Sequence, residues 1–247
     1  MSFNGQSPFQ NIPPVVKNLI IINIILLLAS FVFNSMGINL NRTLGLFYPG
    51  SPEFQPYQFI THMFMHGGIA HLFFNMFALF MFGRVLEQVW GSKRFFIYFF
   101  FTGIGAALLH SFVIYLEAQQ LMANLSIDQI EQVRQQGTDL FLRQKTFSDP
   151  GMRDLQLLFN IPTVGASGAV FGVLLAFGMY FPNTQLMLLF PPIPIKAKYF
   201  VIIYGVIELY LGFTQANSNI AHFAHLGGML FGFILIKIWA RKRNTFY

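Results

Sequence analysis

The sequence predicts an all-α polytopic membrane protein, a bundle of six membrane-spanning helices with a short central helix among longer ones. Three observations carry this. Hydrophobic residues make up 55% of the 247 and charged residues only 10%, against about 25% in a typical soluble domain. Aromatics reach 17%, with 32 Phe, more apolar surface than a soluble core of this size could bury, so lipid is the solvent that suits it. The apolar runs are continuous rather than alternating, which selects helices over strands for crossing a bilayer.

Six runs are long and apolar enough to span, or nearly span, a bilayer: 18–35, 69–86, 95–116, 166–181, 199–214 and 221–240. About 20 helical residues cross the hydrocarbon layer, which is roughly 30 Å thick. The first run follows residues 1–16, which carry no positive charge. It is also too long for a signal-peptide core, so it reads as an uncleaved anchor. The loop at 36–68 is rich in Gly, Pro and aromatics. The loop at 117–164 holds most of the acids and reads as an extended extracytoplasmic segment. Within it Leu121, Leu125, Ile127, Ile130 and Val133 recur at roughly helical spacing, predicting an amphipathic helix on the outer membrane surface or on the protein itself. The fourth run is short. From Ser167 to Phe181 is 15 residues, roughly 22 Å of helix. Ser167 would then sit below the outer surface, with 160–165 dipping in as irregular backbone, which is allowed only where protein or water surrounds it. Pro191, Pro192 and Pro194 end one segment and stiffen the next loop. With no internal repeat, 1–247 reads as a single membrane domain.

Charge sets orientation. Lys17, Arg84, Lys93, Arg94, Lys196, Lys198 and Arg241–Arg243 flank the spans on one side if both termini are cytoplasmic, while the short loops opposite hold only Arg42. That is the positive-inside pattern, and it predicts a multi-pass protein with both termini cytoplasmic. The net charge of +6 is spread along these span ends, so no nucleic-acid surface is implied. The absence of cysteine excludes disulfides, thiolate chemistry and Cys-ligated zinc.

Polar residues inside spans are expensive, so each needs a reason. Gly165-Ala166-Ser167-Gly168 opens the fourth span. A serine flanked by glycines admits a substrate backbone, and at a helix start its neighbouring N–H groups are free to hold an oxyanion. The same small residues also suit close helix packing. His225 in the last span is either a hydrogen-bonded packing residue or a base. Gly228 and Gly232 below it, with Gly168 and Gly172 below Ser167, form two GxxxG faces. These could bring the two helices close enough for a serine–base pair. His71 and Asn75 share one face of the second span, as an oxyanion donor or as an interhelical polar clamp.

Together these elements resemble the rhomboid protease family. Its pattern is HxxxN in the second span, GxSG in the fourth and AHxxGxxxG in the sixth. This chain carries His71-Leu-Phe-Phe-Asn75, Gly165-Ala-Ser167-Gly168 and Ala224-His225-Leu-Gly-Gly228-Met-Leu-Phe-Gly232 in the same order and segments. Phe59-Ile-Thr-His62-Met-Phe-Met-His66 also looks like the family's first-loop end. The resemblance covers 57–100 and 160–240. It implies Ser167 as nucleophile and His225 as base. Asn75, His71 and the Ser167 N–H would form the oxyanion hole, Gly165 would shape the approach, and Phe171 would stack on the histidine where relatives often have Tyr. The family's Trp-Arg pair is Tyr57-Gln58 here, a departure that bears on how the first loop is anchored. The family uses a dyad, and no acid reads as positioned to extend it. Glu208, the one acid deep in a span, reads as structural, and hydrogen bonding is the expected role of His62 and His66.

The resemblance implies a serine endopeptidase that cuts transmembrane segments of single-pass proteins within the bilayer, with no metal or cofactor. The competing readings are a non-catalytic relative that binds membrane helices for quality control, which would typically lack the serine or the histidine, and a transporter, which would want a mirrored second half. A zinc site from His62, His66 and His71 is conceivable but has no carboxylate nearby.

Overall fold

A computed structural model describes residues 12–187, 192–214 and 222–243, with the side chains of 242 and 243 excepted. Pro191 and residue 221, the expected start of the last span, lie outside the described residues. The chain runs α1 (Pro14–Ser35), α2 (Leu40–Leu44), α3 (Gln58–Thr61) and a 3-10 turn at His62–Phe64. Next come α4 (Ile69–Ala78), a π turn at Leu79–Gly83 and α5 (Arg84–Trp90), which form one continuous span. Then follow α6 (Ser92–Ala123), α7 (Ile127–Leu142), α8 (Pro150–Asn160), α9 (Ser167–Tyr180), a short hairpin of β1 (Gln185–Met187) and β2 (Pro194–Lys196), α10 (Ala197–Thr214) and α11 (His222–Arg243).

Five of these helices are long and apolar enough to cross a membrane, and α9 is a shorter apolar helix of 14 residues. The six expected spans are therefore all present as helices, and the short one is central. Nine of its residues are buried, between α6, α11 and the second span. Around it α1, α4 and α10 turn large apolar side chains outward, among them Ile25, Leu28, Phe73, Phe74, Tyr210 and Phe213. Lipid is the solvent such a surface needs. The chain is an integral multi-pass membrane protein.

Backbone chemistry explains the entry of α1. Pro14 occupies its first turn, where a missing N–H costs nothing. The buried carboxylate of Glu87, on α5, accepts from the Val15 N–H at 2.9 Å and the Val16 N–H at 2.8 Å. An anion thus satisfies the free donors at a helix start and ties two spans together.

Small residues set the core. A Cβ built on Gly228 of α11 would collide with the Gly168 carbonyl of α9, and one on Gly172 would lie 2.7 Å from Thr102 Cβ of α6. α9 and α11 thus meet backbone to backbone at Gly168 and Gly228, as their small residues predict, whereas Gly172 and Gly232 face Thr102 and Tyr98 of α6 rather than each other.

The loop at 117–164 differs in detail from its expected form. α6 runs on to Ala123, so Leu121 belongs to it, and Leu125 lies in the turn before α7. α7 has a capping box, in which the Ser126 hydroxyl accepts from the Gln129 N–H and the Gln129 side chain accepts from the Ser126 N–H. A second helix, α8, follows it. Val133, Met152, Leu155 and Phe159 close with Ala118 and Tyr48 into a satellite core. The segment is thus folded onto the α6 extension and the first loop, while Ile127 stays exposed.

The first loop is held by the residue that departs from the family pair. Gln58 is buried, its Oε1 accepting from the N–H groups of Phe47 and Gln55 and its Nε2 donating to the carbonyls of Thr43 and Glu53. Tyr57 donates its hydroxyl to the Thr43 carbonyl.

Candidate active site

Ser167 is the first residue of α9. The first helical bond of α9 runs from the Val170 N–H to the Ala166 carbonyl at 3.0 Å, so the Ser167 N–H has no acceptor within its own helix. The strand-like approach before it is pinned at both ends. Leu46 and Thr163 exchange backbone hydrogen bonds, the Gly165 N–H donates to the His62 carbonyl at 2.9 Å, and His110 bonds the Thr163 hydroxyl at 2.9 Å. Gly165 has φ +127, and a Cβ there would lie 2.8 Å from His71 Cε1. The glycine is required twice, by its conformation and by the imidazole beside it.

His225 reaches Ser167 from α11, with Nε2 2.9 Å from the serine Oγ. Phe171, one turn into α9, stacks on the imidazole with centroids 4.1 Å apart and planes 4° from parallel. Tyr204 of α10 backs Phe171 at 5.3 Å. A small cavity beside the pair is lined by Ser167, Gly165, Val164, Met63 and Ala224.

His71 stands against Gly165 and so borders the serine. Its Nδ1 faces the Gly67 N–H at 3.4 Å, and its ring meets His66 edge-on at 5.0 Å. Asn75 is buried one turn further along α4, its amide donating to the His71 carbonyl at 3.0 Å. That bond lies within one helix, so it is not an interhelical clamp, and among the described residues no hydrogen bond joins Asn75 to Ser167. His62 is buried, with Nδ1 2.8 Å from the Gln58 carbonyl. His66 is equally buried, yet neither ring nitrogen makes a well-formed hydrogen bond, so the expected bonding role holds for His62 alone. Burial pushes both imidazoles down to about 4.

One expectation is overturned. An acid does reach the serine–histidine pair: Glu208 Oε2 lies 2.9 Å from His225 Nδ1 and 2.7 Å from His222 Nδ1. A carboxylate only accepts, so each Nδ1 carries the proton. The neutral His225 ring then presents a bare Nε2 to the serine hydroxyl. The donor atoms of Glu208, His222 and His225 lie within 4.8 Å of one another, close enough to hold a metal ion, but a metal on both Nδ1 atoms would displace the protons that the carboxylate accepts. The sequence offered one clue to this cluster. His222 precedes His225 by three residues, one turn of the same helix, and a span acid needs a partner.

The fold and this constellation define a polytopic membrane protein with a half-buried serine–histidine pair held between two of its helices. A family model for the Rhomboid domain matches residues 53–242, and the chain belongs to the rhomboid family. It is similar to YdcA, a rhomboid of Bacillus subtilis, at 26% identity over 191 residues, 77% of this chain and 71% of that one. Rhomboid protease GluP of the same organism shares 28% over 177 residues, 72% of this chain and 25% of its own. RHOMBOID-like protein 12, mitochondrial, of Arabidopsis thaliana shares 30% over 187 residues, 75% of this chain and 46% of its own. The chain thus spans less than half the length of the last two.

Proposed function

We propose that this protein is an intramembrane serine endopeptidase that cleaves transmembrane segments of single-pass membrane proteins. The observation that carries the reading is the 2.9 Å approach of His225 Nε2 to Ser167 Oγ at the start of a short span. Relatives bearing the name rhomboid protease support it.

In this mechanism His225 Nε2 takes the Ser167 proton as Oγ attacks the scissile carbonyl. The Ser167 N–H, with Asn75 and His71, stabilises the oxyanion. His225 then returns the proton to the leaving amine. Water, activated by the same nitrogen, hydrolyses the acyl-enzyme. Gly165, held free of a side chain, lets an extended substrate backbone approach beside the serine. The whole chain acts as one membrane domain, with both termini cytoplasmic and the cavity opening outward, in a bacterial inner membrane.

The test is labelling of the membrane-embedded protein by a fluorophosphonate, alongside cleavage of a transmembrane reporter. Labelling should fall on Ser167. Ser167→Ala, His225→Ala and the double variant should all be inactive to the same degree, because residues that act as one unit are non-additive. Persistent turnover without the serine would overturn the assignment.

A further inference from the structure

Glu208 sits in the middle of α10 (Ala197–Thr214) with 6% of its surface exposed. A carboxylate inside a membrane span is costly unless specific donors meet it. Here two do, the Nδ1–H groups of His225 and His222, both directed at the same oxygen. A tether between α10 and α11 would need only one of them. The second bond reaches the ring whose far nitrogen contacts Ser167, so serine, imidazole and carboxylate stand in line: Oγ to Nε2 at 2.9 Å, and Nδ1 to Oε2 at 2.9 Å.

We infer that Glu208 is a positioning residue for the hydrolysis, orienting His225 through Nδ1 and stabilising its imidazolium form, with His222 holding the carboxylate in place. The inference rests on the reading of Ser167 and His225 given above, and it extends a two-residue apparatus to three. Its chemistry is that of an acid buried behind a catalytic imidazole. With Nδ1 committed as donor, the ring has one productive tautomer, its basic nitrogen facing the serine. When Nε2 accepts the serine proton, the new positive charge lies beside a fixed negative one in a poorly solvated site. The carboxylate remains ionised throughout, and the proton passes only between Oγ, Nε2 and the leaving nitrogen. Other titratable groups close to the cluster are His71 on α4, His110 on α6, and Tyr204 on α10 beside Glu208. None of these is an acid that could replace the carboxylate.

The test is the pH dependence of kcat and KM for a transmembrane reporter, with each preparation normalised to the sites a fluorophosphonate titrates. Glu208→Gln keeps the shape and removes the charge. It should lower kcat per titrated site by at least about 100-fold, leave KM within about threefold, and move the acid limb of the profile to lower pH, since the imidazolium loses its counter-charge. A tether alone would reduce the number of active sites without moving that limb. An unchanged kcat and limb per site would therefore overturn the inference. Glu208→Asp covers the case in which Gln does not fold. It should hold the limb near its wild-type position while lowering kcat about tenfold or more by drawing the carboxylate back, and an undiminished kcat per site would count against the role. Turnover lost to EDTA and restored by zinc would assign the cluster to a metal and overturn it as well. Activity retained by Ser167→Ala would instead defeat the underlying serine–histidine reading.

Discussion

Gly228→Ala probes whether the active pair is set by backbone contact between α9 and α11. The added Cβ would lie 2.7 Å from the Gly168 carbonyl carbon and closer still to its oxygen. Carbon atoms in good contact stand about 3.5–4.0 Å apart, so the helices must separate locally by about 1 Å. Both partners are backbone, and no rotamer change relieves the clash. Overpacking of this kind costs about 1–3 kcal/mol. The larger consequence is functional. Ser167 precedes Gly168 directly, and His225 lies one turn before Gly228, so the displacement acts on the pair itself. Opening the 2.9 Å bond by about 1 Å breaks it, and a misplacement of that size can cost about 100-fold in rate. The variant should melt a few degrees lower in detergent and lose kcat about 100-fold per folded molecule. Gly205→Ala is the control, because the nearest atom is the flexible end of Met229 at 3.1 Å; it should change stability by less than about 0.5 kcal/mol. Wild-type turnover in Gly228→Ala, measured on the reporter segment alongside the melting curve, would refute the argument that this contact sets the geometry.

Two further outcomes follow. Asn75→Ala should lower kcat about 10²–10³-fold with KM and melting temperature nearly unchanged, since its one described hydrogen bond returns to the His71 carbonyl of its own helix; a variant that melts many degrees lower while the folded fraction keeps its kcat would exclude the donor role. Burial holds His62 and His66 near 4 against an ordinary 6.5, so between these values the unfolded chain binds protons that the native one does not; stability should be full above about 6.5 and fall by up to about 3 kcal/mol per histidine as pH drops toward 4, and a melting temperature constant from pH 7 to 4.5 would contradict it.

The spans and the serine–histidine pair were legible because each leaves a local trace. A helix in lipid must be continuously apolar, so composition alone marks its extent. Gly168 and Gly228 let α9 and α11 touch, with Gly172 and Gly232 making room for Thr102 and Tyr98 of α6, and the α9–α11 contact brings Ser167 and His225 together. The folded loop at 117–164 was harder to read. Its amphipathic stripe reads from Leu121 onward, but α6 continues through that residue to Ala123. Helix period cannot tell where one apolar face ends and the next begins when both share a core. Tyr48 stacks on Phe159 in the cluster that also holds Val133, a pairing across sequence that no window of the chain contains.

Glu208 escaped for a different reason, which bears on how such sites are read. It belongs to none of the family motifs, and its helix buries little else: Ala197, Val201 and Gly212 are its other buried residues. Taken singly, a buried acid on an otherwise lipid-facing helix reads as a structural oddity. The physics of the span already narrows that reading, because an ionised carboxylate there must find donors or lose its charge. The nearest span in sequence supplies two imidazoles one turn apart, His222 and His225. One of them is the residue assigned as base on independent grounds, so the acid's partner and the nucleophile's partner are the same ring. A tether has no reason to choose that ring over any other polar group on α11, whereas an acid that supports proton transfer can use no other.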